Sequence, residues 1–283
     1  QYERRLADDL LARATDAQGV DEKLLAAGLA RHFPDAGDAE QKLAAATAVL
    51  RRFCVISGGP GTGKTTTVAK ILALLAEQPG GGTWQIALAA PTGKAAARVQ
   101  DAMHAALGRI EVDLFMRASM PEEASTIHRL LGARPDSVYY RHDRDNPLPL
   151  DVLVVDEASM ADLALMAKLV DALPPRARLI LLGDKDQLAS VEAGAVLGDI
   201  CRGAGYTPAF AKRLAAVARV PAKSLTAATR ASPLADSVAL LVKSHRFGAE
   251  SGIGNVARLV NAGRGDDALA LLNEAKQQDV AWR

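Results

Sequence analysis

Residues 53–67 read FCVISGGPGTGKTTT. A wholly apolar run leads into a loop with four glycines in six residues. Lys64 and Thr65 then open VAKILALLAE, whose apolar positions recur at helical spacing. Few stretches constrain a fold as tightly. A buried strand must deliver this loop, a helix must leave it, and glycines are needed where backbone N–H groups turn inward. Gly58-x-x-x-x-Gly63-Lys64-Thr65 is the complete phosphate-loop pattern. Gly58, Gly59, Pro60, Gly61, Thr62, Gly63, Lys64, Thr65 and Thr66 are therefore expected to cradle a nucleotide's phosphates. The helix starting near Lys64 adds its positive end. Lys64 would neutralise the β and γ phosphates of ATP, and Thr65 would offer its hydroxyl to Mg²⁺.

Such a loop needs an acidic metal partner at the end of a neighbouring strand. Val152-Leu153-Val154-Val155-Asp156-Glu157-Ala158-Ser159 supplies it. Asp156 is expected to hold Mg²⁺, directly or through water, and Glu157 to act as the general base on the attacking water. An Asp–Glu pair alone is often only a helix-start signal. After a buried strand and beside a phosphate loop it points to hydrolysis, because plain nucleotide binding does not call for the second carboxylate.

The surrounding pattern predicts an α/β fold: a parallel sheet with helices on both faces, preceded by a small helical segment. FCVIS (53–57), WQIALAA (84–90), DVLVV (151–155) and ARLILL (177–182) are short and mostly apolar throughout, as strands buried on both faces are, and they alternate with helical runs. Ahead of them, Leu6, Leu10 and Leu11 share one helical face, and Leu24, Leu25, Leu29 and Phe33 another. A third helix is expected over 39–51 with Leu43, Ala46 and Leu50 inward, and one more near 208–218. Residues 79–83, 133–149 and 203–233 are linker-like in composition.

Composition narrows the function classes. The chain has 34 Lys and Arg against 33 Asp and Glu, so no global positive field advertises nucleic acid and any DNA contact must be local. Its two cysteines, Cys54 and Cys201, lie far apart, which excludes a disulfide framework or cysteine zinc site and fits a reducing cytoplasm. No apolar run approaches the length of a membrane span, so no membrane partner is expected. The chain opens on Gln1 inside a helical pattern and ends in VAWR, so a fragment of a longer protein is expected.

Three further stretches bear on what the phosphate energy does. Ala90-Pro91-Thr92-Gly93-Lys94 follows the second strand, and its Thr, Gly and Lys suit backbone phosphates at a helix start, or equally an ordinary turn. Ser125-Thr126-Ile127-His128 places Thr126 and His128 at another helix start. Gly183-Asp184-Lys185-Asp186-Gln187 sits at the carboxyl end of a parallel strand, where ligands bind; Gln187 is placed to sense the γ phosphate.

Taken together, GGPGTGKT, APTGKAA, STIHRLLG, VVDEAS and GDKDQLASVEAGAVLGD resemble motifs I, Ia, Ib, II and III of superfamily 1 DNA helicases, and the last of them resembles the RecD family. Lys243-Ser244-His245-Arg246-Phe247-Gly248 resembles that family's motif IV, with His245 where the family usually has Tyr. The resemblance runs from about residue 20 to the C-terminus. It implies a RecA-like 5′-to-3′ DNA helicase in double-strand break repair, working on single-stranded and duplex-end DNA with RecB and RecC subunits. It implies that Gln41 reads adenine, that Arg246 reaches the γ phosphate from a second domain, and that Pro91, Thr92, Lys94, Thr126 and His128 contact DNA. The implied division is 1–35 as the end of a partner-contacting domain, 36–232 as the first RecA-like domain, and 233–283 as the start of a second. A stand-alone RecD-like helicase and a conjugative relaxase–helicase module are the competing readings.

Overall fold

A computed structural model describes residues 2–110, 120–121, 123–187, 196–228, 232–245, 251–273 and 279–280. Its centre is a six-stranded, all-parallel sheet of β1 (Phe53–Gly58), β2 (Ile86–Ala90), β3 (Ala124–Thr126), β4 (Val152–Val155), β5 (Arg178–Gly183) and β6 (Val238–Leu241). The spatial order is β3-β2-β4-β5-β1-β6. Strands β1, β4 and β5 are buried at every residue, which is why their sequences are apolar without alternation.

Helices cover both faces. On one lie α2 (Glu22–His32), α3 (Ala39–Leu50), α4 (Lys64–Ala76), α5 (Gly93–Leu107) and, after β5, the helix Pro208–Ala218. Their apolar stripes meet Cys54, Ile56, Val154, Ile180 and Leu182 from the strands. On the other face lie α1 (Tyr2–Arg13), α6 (Ile127–Leu130), α7 (Leu163–Asp171) and α8 (Val196–Cys201), packed on Phe53, Val55, Leu153, Val155, Leu179 and Leu181. The alternation of strand side chains between the two cores follows from the two-residue period of a strand. Helices α9 (Pro208–Ala218), α10 (Gly252–Asn261) and α11 (Gly265–Asn273) complete the described elements.

The packing runs across both expected boundaries. Residue 35 divides no core: Leu6 and Leu10 of α1 are buried in one core of the sheet, and Leu25, Leu29 and Phe33 in the other. Arg13 ties α1 down further, its guanidinium donating to the carbonyls of Val170, Leu173, Pro174 and Ala177 where α7 ends, a negative helix terminus. Nor does the first sheet stop at residue 232. Val238–Leu241 pair with β1 in register Val55↔Val238 through Gly58↔Leu241, so β6 is the edge strand of this sheet and not the start of another. Leu11 and Leu24 are also displaced from their expected inward faces, being 40% and 44% exposed.

Because every strand runs the same way, all six carboxyl ends lie on one edge. That edge gathers the phosphate loop after β1, Thr92 after β2, Thr126 at the end of β3, Asp156 after β4, Asp184–Gln187 after β5, and residues 242–245 after β6. Gly58 is required there for packing: a Cβ would stand 2.7 Å from the Leu241 carbonyl oxygen of the neighbouring strand.

Candidate nucleotide and nucleic-acid site

The loop between β1 and α4 turns on Gly61 (φ 79°) and Gly63 (φ 81°), left-handed conformations that a side chain disfavours. Gly63 is the N-cap of α4 and carries no side chain to satisfy the helix's first N–H groups, so those donors stay open to an incoming anion. Thr62 and Thr67 brace the loop, their hydroxyls donating to the Gly59 and Gly63 carbonyls at 2.9 Å each. Lys64 Nζ lies back over the loop and donates to the Gly58 and Gly59 carbonyls, at 2.5 and 3.1 Å. The ammonium group is thus already poised across the loop's mouth.

Asp156 leaves β4 with its backbone N–H on the Ala89 carbonyl of β2, and its carboxylate accepts the N–H of Glu157 at 2.8 Å. It is 8% exposed. Burial pushes its carboxyl above the ordinary value; the charge of Glu157 pushes the same way, while the Glu157 N–H and the Lys64 charge oppose it. Glu157 adopts the left-handed conformation, φ 51° and ψ 35°, at a non-glycine position. Such strain costs on the order of 1–2 kcal/mol and gathers at functional sites. Among the described residues no three His, Cys, Asp or Glu side chains group as a metal cage. Mg²⁺ does not need one, since it keeps waters and takes one or two carboxylates plus substrate phosphates. A buried carboxylate beside a phosphate loop fits that ion, which Asp156 and Thr65 would hold.

A cleft of about 650 Å³ joins these groups, lined by residues 60–66, Asp156, Glu157 and Gln187. Thr92 and Lys94 line the same cleft, as does Arg98, one turn further along α5. Thr92 and Lys94, expected to contact DNA beside the phosphate loop, thus share a cleft with it, and Arg98, four residues after Lys94 in the same stretch, had been given no role. Thr92 and Thr126 are both N-caps: Thr92 Oγ1 accepts from Ala95 N at 3.2 Å and Thr126 Oγ1 from Arg129 N at 3.1 Å. His128 is exposed, its ring 6.0 Å from that of Tyr140, and Pro91 is half-buried at the turn after β2.

The acidic and glutamine-bearing turns are joined. Ser159 Oγ donates to Gln187 Oε1 at 2.8 Å, and Lys185 N donates to Ser57 Oγ at the end of β1. Ser159 was legible only as part of VVDEAS; its partner is 28 residues on. Gln41, in the first turn of α3, is buried against the loop and donates to the Thr62 carbonyl at 3.2 Å. Arg246 lies outside the described residues. Cys54 and Cys201 are free and buried, and burial lifts their thiols to about 12 and about 11, which disfavours the reactive thiolate. No described helix is long and apolar enough to cross a membrane.

This architecture has relatives. Over 285 residues the chain is 44% identical to the RecBCD enzyme subunit RecD of Mycolicibacterium smegmatis, covering 99% of this chain and 44% of that protein. It is 42% identical over 256 residues to the RecD subunit of Haemophilus influenzae, covering 88% of this chain and 40% of that protein. Over 143 residues it is 46% identical to the ATP-dependent RecD2 DNA helicase of Deinococcus radiodurans, covering 50% of this chain and 17% of that protein. The chain thus spans less than half the length of the curated RecD proteins it matches. The family model described as an AAA domain matches residues 41–193, from Gln41 through the phosphate loop and both acidic turns. A parallel sheet with this loop, this carboxylate pair and that match is the nucleotide-binding core of the family, and the chain belongs to the AAA domain family.

Proposed function

We propose that this chain is the ATP-hydrolysing core of a RecD-type DNA helicase that moves 5′ to 3′ on single-stranded DNA and, with RecB and RecC partners, unwinds duplex ends during double-strand break repair. The observation that carries the reading is the shared cleft. Hydrolytic groups (Lys64, Asp156, Glu157), a relay residue (Gln187) and cationic or hydroxyl side chains from the next strand-to-helix turn (Thr92, Lys94, Arg98) all line it. The high identity to RecD subunits along nearly the whole chain supports the subunit assignment, and the polarity rests on the same likeness.

In this reading the open N–H groups of α4 and the Lys64 ammonium take the β and γ phosphates of ATP. Asp156 and Thr65 would hold Mg²⁺, which would supply charge neutralisation to the phosphates. Glu157, set by its left-handed backbone, orients the attacking water and accepts its proton. Gln187 is held to the acidic turn through Ser159, so a change at the γ phosphate reaches both turns together. Thr92, Lys94, Thr126, His128 and Pro91 face the DNA backbone, and Arg246 completes the charge on the γ phosphate from the second domain. Residues 242–283 lead into that domain, and α1 and α2 connect to the partner-contacting one.

A free-standing helicase is the second reading, favoured by the likeness to RecD2 over half the chain. One experiment tests the proposal against it. The full-length protein is purified with and without RecB and RecC and given duplexes bearing a 5′ or a 3′ single-stranded tail. The proposal expects a stable complex, ATPase stimulated by single-stranded DNA, and unwinding from the 5′ tail. Unwinding from the 3′ tail alone, or no DNA stimulation, overturns it; full activity without partners favours the second reading.

A further inference from the structure

Beyond β6 the chain crosses the phosphate loop as a short strap. The N–H groups of Val242 and Lys243 both donate to the Glu40 carboxylate, at 2.7 and 3.0 Å. Lys243 Nζ donates to the Gly37 carbonyl, Ser244 Oγ to Pro60, and His245 N to the Gly61 carbonyl at 2.8 Å. The strap therefore fixes His245 over the loop, and its imidazole Nε2 lies 2.5 Å from the amide nitrogen of Gln41.

The hydrogen-bond roles in that contact depend on the imidazole tautomer, and the neighbouring groups constrain it. The same Gln41 nitrogen donates to the Thr62 carbonyl, which can only accept. That orients the amide with its NH₂ toward the loop, and the tautomer protonated at Nδ1 lets the imidazole Nε2 accept from it. Gln41 Oε1, in contrast, is buried with no partner. A carboxamide offers a donor and an acceptor side by side, the pattern that matches the N7 acceptor and N6 donor of adenine. Here the acceptor half is unspent, and the donor half is engaged by His245. The cost of leaving a buried acceptor unpaired is on the side of a ligand that brings a donor.

We propose that His245 is a residue of the base subsite that gates it, its imidazole competing with the adenine ring for the Gln41 amide. Base recognition then requires release of His245 from Gln41, while the phosphate loop is free to take phosphates without it. Glu40 acts as a positioning residue, holding the strap that presents the imidazole. The inference rests on Gln41 as the base-reading residue, and the test separates failure of one from failure of the other.

The experiment measures equilibrium binding of ADP and of pyrophosphate to the full-length protein, to His245→Phe, His245→Gln and Gln41→Ala, and to the Gln41→Ala/His245→Phe double variant. His245 is exposed, so its replacement disturbs neither core. Phe cannot accept a hydrogen bond; ADP should bind about three- to ten-fold more tightly, the worth of one hydrogen bond no longer broken. Pyrophosphate affinity should not change. His245→Gln, which restores an acceptor, should return ADP affinity toward that of the parent. Gln41→Ala should weaken ADP but not pyrophosphate, and His245→Phe should then add nothing. ADP binding unchanged or weaker in His245→Phe overturns the gate. So does tightening that persists in the Gln41→Ala background, because it would come from ring stacking alone. If Gln41→Ala leaves ADP affinity unchanged, the base-reading assignment itself falls, and the gate with it.

Discussion

Two strand-to-helix turns lie on the same edge of the sheet and end in helices of similar length, yet they are built for different tasks. After β2, the turn reaches α5 through Thr92, whose hydroxyl caps the helix by accepting the Ala95 N–H. After β1, the turn reaches α4 through Gly63, which has no side chain to cap with. The first turn satisfies its own helix terminus and the second leaves it open. An uncapped, positively polarised helix end under a left-handed glycine is unstable by itself, and an anion relieves it. On the proposed function the phosphates fall to α4, while α5 presents cations, Lys94 and Arg98, to the same cleft.

The comparison can be broken in order of expected effect. Lys64→Ala removes the ammonium over the open loop without touching either core; ATP turnover in the full-length protein should fall at least a hundred-fold while the melting temperature changes little. Steady-state ATPase assays and thermal melts check both halves. Gly63→Ala forces a side chain into the left-handed conformation, 3.5 Å from the Gln41 amide nitrogen. It should cost roughly 1–2 kcal/mol of stability and about ten-fold in ADP affinity, a 1.4 kcal/mol effect, read by calorimetry. Thr92→Ala removes a cap, worth about 1 kcal/mol or some 2–4 °C in melting temperature, together with the hydroxyl proposed to face DNA. Thr92→Ser should restore it. A loss of ADP affinity in Thr92→Ala as large as in Gly63→Ala would erase the distinction between the two turns.

A smaller effect has the opposite sign. The Asp156 carboxyl is raised above its ordinary 3.8 by burial, so its anion costs stability at neutral pH. That cost is fully present above the raised value and is relieved as pH falls through it toward 3.8. Asp156→Asn should therefore raise the melting temperature by about 2 °C at pH 7, while abolishing hydrolysis. The gain should shrink on acidification. A lower melting temperature for the variant at pH 7 would contradict the assignment of a buried, costly anion.

How far the sequence could carry this is itself set by physical range. Strands β1, β4 and β5 were legible because burial on both faces leaves an unbroken apolar run. Strand β3 was not, since Ala124, Ser125 and Thr126 are half-buried and carry no such run. The strand Val238–Leu241 was not singled out either, and nothing local says which sheet it joins; its pairing with β1 is made by residues more than 180 positions away. The phosphate loop and Asp156–Glu157 were legible because their chemistry is written in adjacent residues. The Gln41–His245 contact joins residues 204 positions apart and depends on the fold. The left-handed backbone of Glu157 likewise has no sequence signal, because glycine, the usual marker, is absent there.

The account stands most directly on one measurement: unwinding of a 5′-tailed duplex by the full-length protein carrying Glu157→Gln, with ADP affinity measured on the same preparation. Glutamine keeps the size and the backbone but cannot accept the water's proton. The account predicts ADP affinity within about two-fold of the parent and unwinding slowed at least a hundred-fold, the scale of a lost general base. Unwinding at the parental rate with nucleotide binding intact would contradict it, because hydrolysis in this cleft would then not drive the motor.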